Sequence, residues 1–240
     1  MKLINLVRRK PGISREAFRT HWETEVASAL TKSASHRSRC LGYVQNFTCK
    51  PDMRFSPTTH RFSEDWDAID EYWYADAQQA DADLAELSID SQMSDLRGKV
   101  IDMTASLILR AEEVILTGKD FTGDTFAKVF IFIAPKPGIT QQRFFQHWTE
   151  IHGPLWAGVR SGKGYQPTLR SVQNYLPEEM NPRLREFGYF GITEGWHESL
   201  ASMGLPFRSV EHDEIIVPDA NKFTDRARVC DTIVEERRVF

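Results

Sequence analysis

The chain has 240 residues, of which 41% are hydrophobic and 27% are charged, and its formal net charge is -4 at pH 7. This balance is typical of a globular protein and excludes a disordered or low-complexity chain. A pI near 6.0 gives no basic surface for nucleic acid, and no apolar run approaches the roughly 20 residues that span a bilayer. We therefore expect neither nucleic acid nor membrane as a partner. The three cysteines lack disulfide or metal-site spacing, which favours a reduced, cytoplasmic compartment.

An internal repeat organises the chain. The segment 10–14 (KPGIS) recurs as the segment 136–140 (KPGIT). A phenylalanine and a His-Trp pair follow at the same distance in both copies: Phe18, His21 and Trp22, then Phe144, His147 and Trp148. Later Val-Gln-Asn, Glu-x-Trp and Glu-Glu segments repeat in the same order. A two-copy repeat of this length predicts two homologous halves, residues 1–117 and 125–240.

Both halves contain the same predicted elements in the order β-α-β-β-α-β. In the first half these are a strand over 3–8, a helix after the N-cap Ser14, strands carrying Asn46 and ending near Trp73, a helix from Asp76 and a strand over 105–116. In the second half they are a strand over 128–134, a helix after Thr140, strands carrying Asn174 and ending near Trp196, a helix from Glu198 and a strand over 228–240. This order predicts the α+β, ferredoxin-like arrangement. Two such halves, each with an uncovered sheet face, predict an intramolecular dimeric α+β barrel.

The helix after Thr140 carries an apolar stripe. Phe144, Trp148, Ile151 and Leu155 recur at helical spacing. At α-helical spacing His152 falls at one edge of this stripe and His147 at the other, so the two imidazoles are predicted to diverge. No third metal ligand has a suitable spacing, and we expect no metal site.

The stretch 136–159, KPGITQQRFFQHWTEIHGPLWAGV, resembles the opening of the EthD family, most specifically at His152-Gly153-Pro154. The resemblance spans most of both halves and implies the dimeric α+β barrel superfamily, here as two tandem copies. The first half has Val26-Ala27-Ser28 in place of His-Gly-Pro, which predicts one working pocket and one degenerate half. Relatives in the superfamily include cofactor-free lyases, cyclases and dehydratases of aromatic or polyketide-like compounds, cofactor-free monooxygenases and haem proteins.

Three side chains are candidates for catalysis. His152 leads, because an imidazole at the rim of an apolar pocket can transfer a proton near neutral pH; its alternative role is a hydrogen bond to a backbone carbonyl at the helix end. His147 is the second, although the retention of His21 in the first half fits a shared structural role. Glu25 is the third, because it takes the position of Ile151, and a carboxylate among apolar side chains has a raised pKa; its alternative is a solvated position.

Seven further side chains are candidates for substrate binding. Asn46 and Asn174 lie mid-strand, where asparagine is disfavoured, and their amides could orient a carbonyl or a phenol. Tyr43 and Tyr165 follow glycines near the second strand of each half and could supply hydroxyl groups. The set is completed by Trp148 and Trp196, for which a place in the core is the alternative, and by His21, for which a structural hydrogen bond is the alternative. Asp219, after Pro218 in a predicted loop, could cap or contribute a carboxylate.

We predict a cofactor-independent enzyme acting on a small aromatic or polyketide-like substrate, most simply a decarboxylase or dehydratase in which His152 transfers the proton. The alternatives are a cofactor-free monooxygenase of electron-rich phenols, a haem enzyme with a single histidine ligand, and a non-catalytic binding or assembly module. No nucleotide, nicotinamide or serine-hydrolase motif occurs, and we expect no cofactor. Unpaired sheet edges favour a homodimer.

Overall fold

The computed structural model describes residues 1–49, 61–118, 127–158 and 168–240. The chain divides into two compact units. The first unit consists of Met1–Thr48, Glu64–Ala111 and Glu235–Phe240; the second consists of the described residues of Cys49–Ser63 and Glu112–Val234. Each unit has four main antiparallel strands or parts of strands and its own helices.

The sheet of the first unit is antiparallel. Its strands are β1 (Lys2–Val7), β2 (Cys40–Thr48), β4 (Ala68–Tyr74) and the first part of β5 (Leu107–Thr117). They lie in the order β2-β4-β1-β5. In this order the first strand of the unit lies between the third and the fourth, as expected for the ferredoxin-like arrangement.

Two groups of helices connect these strands. Between β1 and β2 lie α1 (Arg15–His21), a π-helical turn (Trp22–Val26), α2 (Ala27–Lys32) and α3 (Ala34–Arg39). Between β4 and β5 lie α4 (Ala77–Ile89) and α5 (Ser91–Val100). As predicted, Ser14 caps α1, and its side chain accepts a hydrogen bond from the backbone N–H of Ala17.

The second unit repeats this plan. Its strands are β6 (Ala127–Ile133), β7 (Thr168–Tyr175), β8 (Gly191–His197) and β9 (Cys230–Arg238), in the order β7-β8-β6-β9. The short β3 (Arg61–Phe62) pairs in parallel with β9, and the residues of β5 from Glu112 onward pair with β7. The predicted fold class, α+β with two ferredoxin-like halves, is therefore confirmed.

The helices of the second unit surround a pocket described below. After β6 come α6 (Gln141–His147), a π-helical turn (Trp148–His152) and α7 (Gly153–Gly158). After β7 come a short 3-10 turn (Glu178–Met180) and α8 (Leu184–Phe187). After β8 come α9 (Leu200–Met203), a 3-10 turn (Pro206–Arg208), a π-helical turn (His212–Ile216) and α10 (Val217–Phe223).

Strand register establishes which residues of the two units correspond. Lys2 pairs with Trp73 just as Lys128 pairs with Trp196. Ile4 pairs with Leu109 just as Phe130 pairs with Thr232. The segments 68–109 and 191–232 are thus anchored at both ends and have equal length. Residues at the same place in these segments, and in 2–26 and 128–152, are called counterparts below.

Trp148 shows how the local sequence fixes the core of the second unit. Its ring is 2% exposed and packs 5.5 Å from the ring of Phe144 and 4.8 Å from that of Tyr175. It also lies flat against Gly191, where a Cβ atom would come within 2.1 Å of the indole. Glycine at this strand position therefore leaves space for Trp148, the first residue of the π-helical turn.

The last described residues belong to the first unit. The backbone N–H of Val239 donates to the carbonyl of Tyr43 at 2.9 Å, and the N–H of Tyr43 donates to the carbonyl of Phe240 at 3.1 Å. Arg237 also donates to the side chain of Gln45 at 2.7 Å. The segment 235–240 is thus a stabilising part of the first unit. Among the described residues, no helix combines the length and the apolar character needed to cross a membrane.

Candidate active site

A pocket lies within the second unit, between one face of its sheet and the helices. It encloses about 640 Å³, its open mouth included. Aromatic and aliphatic side chains form most of its wall, among them Trp148, Trp156, Phe207, Phe223, Ile131 and Ile216. Sites for small molecules have this character: mostly apolar walls with a few placed polar groups.

Polar side chains reach the pocket from four elements. His152 and His212 come from the two π-helical turns, Gln173 from β7 and Thr193 from β8, and Arg226 follows α10. Among the lining residues in the described part of the chain, none is an aspartate or a glutamate. The described part of the wall is therefore mostly apolar, with a few polar groups and no carboxylate.

Asp219, on α10, joins the two histidines. The Nδ1 atom of His152 lies 3.0 Å from Oδ2 of Asp219, and the Nε2 atom of His147 lies 3.0 Å from Oδ1. Lys222 also donates to Oδ1 at 3.1 Å. The carboxylate is 3% exposed. The prediction that His147 and His152 diverge is wrong, because both meet the same side chain.

The π-helical turn is the physical reason for this convergence. At its end the N–H of Gly153 donates to the carbonyl of Trp148, five residues earlier. Hydrogen bonding between residues five apart aligns positions that an α-helix would spread around its axis. His147 and His152 are five apart, and both rings pack on Phe223, at 4.8 and 5.0 Å.

Electrostatics prepare His152 to accept a proton. Burial lowers the pKa of His152, and the hydrogen bond and charge of Asp219 offset this only in part. Burial by itself would raise the pKa of Asp219, but hydrogen bonds from His152 and Lys222 and the charge of His147 outweigh it and lower that pKa. Asp219 is therefore ionised and accepts the Nδ1 proton of a neutral His152, which leaves Nε2 as the basic nitrogen.

The first unit lacks this arrangement. The counterpart of His152 is Val26, and that of Asp219 is Leu96. His21, the counterpart of His147, donates instead to the backbone carbonyl of Leu96 at 2.8 Å. Retention of a histidine in both halves thus does not mean a shared role: His21 bonds to the backbone, whereas His147 bonds to a buried carboxylate.

Glu25 has the solvated position that was the alternative to apolar surroundings. Glu25 is exposed on the first unit, and its counterpart Ile151 is 45% exposed. Both residues lie inside π-helical turns, which rotate them out of the stripe that α-helical spacing predicts. Glu25 therefore lies outside the described pocket, which belongs to the other unit.

Asn174 lies on the sheet face opposite the pocket, and Asn46 lies in the sheet strands of the first unit. Asn174 is fully buried, and its Nδ2 donates to Glu194 at 2.6 Å and to the carbonyl of Ile192 at 3.1 Å. Lys128 pairs with the same Glu194 at 3.1 Å. Asn46 repeats the pattern in the first unit, with Glu71 at 2.7 Å. The asparagines thus take part in a buried polar network in each sheet, away from His152.

The remaining candidates fall in different places. Trp148 lines the pocket. Trp196 lies on the face opposite Thr193, and Lys128 is 4.3 Å from its ring. Tyr43 is buried in the first unit and donates to Asp70 at 3.2 Å. Tyr165 lies outside the described residues.

Sequence reasoning did not single out three residues of this site, Gln173, His212 and Arg226. It named Asp219 as a residue of a predicted loop that could cap or supply a carboxylate, whereas Asp219 lies on α10. A comparison of the halves position by position gives an additional signal for His212, Asp219 and Arg226, whose counterparts are Ile89, Leu96 and Met103. Polar residues whose counterparts are apolar are not required by the shared fold.

Among the described residues, no group of three or more His, Cys, Asp or Glu is arranged to hold a metal ion.

Two ferredoxin-like halves in one chain define the class of the dimeric α+β barrel proteins. Solved structures of this class match nearly the whole chain. An anthrone oxidase-like protein has a TM-score of 0.59 at 10% identity, covering 99% of this chain and 92% of its own. A candidate monooxygenase from Lactobacillus acidophilus NCFM has a TM-score of 0.54 at 9% identity, covering 100% and 93%. A mutant chlorite dismutase from Candidatus Nitrospira defluvii has a TM-score of 0.53 at 8% identity, covering 98% and 90%. At these identities the likeness shows the fold alone.

The chain belongs to the EthD domain family. The family model matches it twice, at residues 10–95 and 136–227. The resemblance inferred from the His-Gly-Pro segment is thereby confirmed, and so is the tandem duplication. No curated protein matches the chain.

Proposed function

We propose that the pocket of the second unit is the active site of an enzyme that needs no prosthetic group. In this proposal His152 transfers a proton to or from a small aromatic or polyketide-like substrate. The observation that carries the proposal is the pairing of His152 Nδ1 with the buried Asp219 at 3.0 Å, beside an apolar pocket. A carboxylate in this position fixes the tautomer of the imidazole and stabilises the imidazolium that forms when Nε2 takes a proton.

A lyase reaction needs only these groups. In a dehydration, Nε2 of His152 removes the proton beside a carbonyl group, and the electrons of the C–H bond form the new double bond. The hydroxyl group leaves and receives that proton from the imidazolium, so water departs and the enzyme is unchanged. Gln173 lines the pocket and has an amide that can bind the substrate carbonyl.

Cofactor-free oxygenation is the second candidate. The names of the solved structures with this fold, an anthrone oxidase-like protein and a candidate monooxygenase, favour it. Here His152 would remove a phenolic proton, and the electron-rich anion would react directly with O₂ as co-reactant. The same imidazole and the same pocket serve both reactions.

The test compares kcat after a substitution in the second unit with kcat after a control substitution in the first unit. His152→Ala is expected to lower kcat by about two orders of magnitude on a substrate found among phenols, aromatic acids and polyketide-like compounds. His21→Ala removes the imidazole of the first unit that corresponds to His147 and should leave kcat within about threefold. A loss under about threefold for His152→Ala, in a folded protein, would contradict the role of His152.

Asp219→Asn gives a second, independent readout. It removes the hydrogen bond and charge that raise the pKa of His152, while burial, which lowers it, remains. The pKa of His152 should fall, and the acidic limb of the pH profile of kcat/KM should move to lower pH. An unchanged limb would show that Asp219 does not act on the essential base.

An anaerobic assay and a haem-binding spectrum distinguish the lyase from the oxygenase and the haem enzyme. A lyase keeps its rate under nitrogen, whereas an oxygenase consumes one O₂ per turnover and stops. A haem iron would bind the same Nε2 atom, so haem mixed with the protein should give a histidine-ligated Soret band that His152→Ala abolishes if that alternative is correct. An inactive protein that binds none of the compounds would favour the assembly module.

A further inference from the structure

The basic residues of the pocket are a specific addition to the second unit. Arg226 and His212 line the pocket, whereas their counterparts in the first unit are Met103 and Ile89, which are 59% and 83% exposed. Both units nevertheless arrange their four main strands in the same order. The fold therefore does not require a basic side chain at either position.

These residues change together with the proposed catalytic pair. Val26 and Leu96 replace His152 and Asp219 in the first unit. All four polar groups are thus present in the second unit and replaced by apolar residues in the first. His152, His212 and Arg226 line the same pocket, and Asp219 bonds to His152, so a ligand in the pocket would meet the three lining groups together.

Arg226 indicates the chemistry of that ligand, because it lines the apolar space and is half-buried. The two histidines of the described wall each pair with a carboxylate, His152 with Asp219 at 3.0 Å and His212 with Asp213 at 3.1 Å. An anionic group enters an apolar site only where charged or hydrogen-bonding groups receive it. The planar guanidinium of arginine fits a carboxylate with two parallel hydrogen bonds.

We propose that the substrate carries an ionised carboxylate that binds Arg226, while its aromatic body packs between Trp156 and Phe223. This names the substrate class of the pocket and rests on the proposed function for the identity of the site. It does not depend on whether the reaction is a lyase or an oxygenase step. The carboxylate anchors the substrate, and the rest of the ring system lies near His152.

A matched pair of ligands tests the proposal. 1-Naphthoate and 1-naphthamide share their shape and differ in charge. By titration calorimetry, naphthoate is expected to bind the wild-type chain at least about tenfold more tightly than the amide, which corresponds to 1.4 kcal/mol. Arg226→Met, which installs the residue of the first unit, should reduce this ratio to about one without changing the Kd of the amide.

Two further variants complete the design. Arg143→Met makes the same substitution at an exposed position of α6 outside the pocket, and it should keep the wild-type ratio. Arg226→Lys keeps the charge and should retain part of the preference if Arg226→Met proves poorly folded by circular dichroism. Equal binding of the two compounds, binding of neither at millimolar concentration, or a ratio that survives Arg226→Met would overturn the proposal.

The two proposals fail in different ways. If the acid is preferred through Arg226 but His152→Ala leaves turnover unchanged, the carboxylate site stands and the catalytic role of His152 is wrong. If His152→Ala abolishes turnover but the acid is not preferred, the active site stands and its substrate is neutral.

Discussion

Asp70 illustrates at the residue scale how the same fold position serves different ends. Its counterpart Thr193 lines the pocket of the second unit. In the first unit Trp22, Tyr43 and Tyr72 all donate to Oδ2 of Asp70, at 2.9 to 3.2 Å. The rings of Tyr43 and Tyr72 stack at 4.5 Å, whereas their counterparts by strand register are Ser171 and Gly195. Large side chains therefore fill the first unit where small ones occur in the second.

The buried carboxylate of Asp70 makes the stability of the chain depend on pH. Burial raises its pKa to about 7, and the hydrogen bonds from Trp22, Tyr72 and Tyr43 only partly oppose this. An unfolded aspartate has a pKa of about 3.9. Between about pH 4 and pH 7 the folded state thus binds more protons, and the contribution of Asp70 to the free energy of unfolding falls as pH rises.

Asp70→Asn should flatten this dependence. The slope attributable to Asp70 is at most about 1.4 kcal/mol per pH unit. Urea unfolding of wild type and variant at several pH values measures it. Asp95→Asn, at an exposed position of α5, is the control and should keep the wild-type slope. An undiminished slope in Asp70→Asn would mean that other groups cause the pH dependence.

At the scale of elements, the π-helical turns separate what the sequence predicts from what it does not. The N-caps Ser14 and Thr140 and the order of strands follow from local signals and were predicted correctly. The convergence of His147 and His152 and the exposure of Ile151 were not, because the prediction assumed 3.6 residues per turn. A π-helical turn aligns residues five apart, and α-helical spacing does not reveal this alignment.

The pairing of Asp219 with His152 was not predicted, for a related reason. Asp219 is 67 residues from His152 along the chain, and its distance from His152 depends on how α10 packs against the π-helical turn. Hydrophobic periodicity places a residue on its own element but does not specify which side chain of another element it meets. The duplication supplies that information only in part, through the contrast of Asp219 with Leu96.

Deleting one residue from the turn tests its role. Removal of Glu150, which is exposed, should convert Trp148–His152 towards α-helix, because a π-helical turn holds one more residue than an α-helical turn. His152 would then rotate away from Asp219, and kcat should fall about as far as in His152→Ala. Proton–nitrogen spectra of the imidazole rings report the lost pairing directly.

Removal of Thr24 is the matched control, since it shortens the equivalent turn of the first unit. That deletion should leave the signals of His152 and the rate unchanged. A Glu150 deletion that keeps both the pairing and the rate would show that the π-helical geometry is not needed.

At the scale of the whole molecule, duplication has given one chain two units of the same fold and different content. The second unit joins a pocket to a His-Asp-His cluster, while the first replaces His152, Asp219 and Arg226 with apolar residues. The sequence predicted this asymmetry from the loss of His-Gly-Pro in the first half. It did not predict how far the asymmetry extends along the other elements.

This asymmetry predicts one ligand per chain. Calorimetric titration with 1-naphthoate should give a stoichiometry near one, and Arg226→Met should weaken binding at that single site. Two equivalent sites per chain would mean that the first unit also binds ligand. Self-association in a homodimer stays a prediction, which light scattering of the purified chain checks.

The segment 235–240 affects the order in which the two units can fold during synthesis. Its backbone and side chains bond to Tyr43 and Gln45 of the first unit, although it is translated after the whole of the second. Ribosomes add roughly 5–20 residues per second, and domains usually fold in the order of synthesis. Here the first unit must wait on the order of ten seconds, at those rates, for the segment that completes it. We therefore expect the half that is synthesised first to mature last, and nascent chains that stall late to expose β2 of the first unit to chaperones.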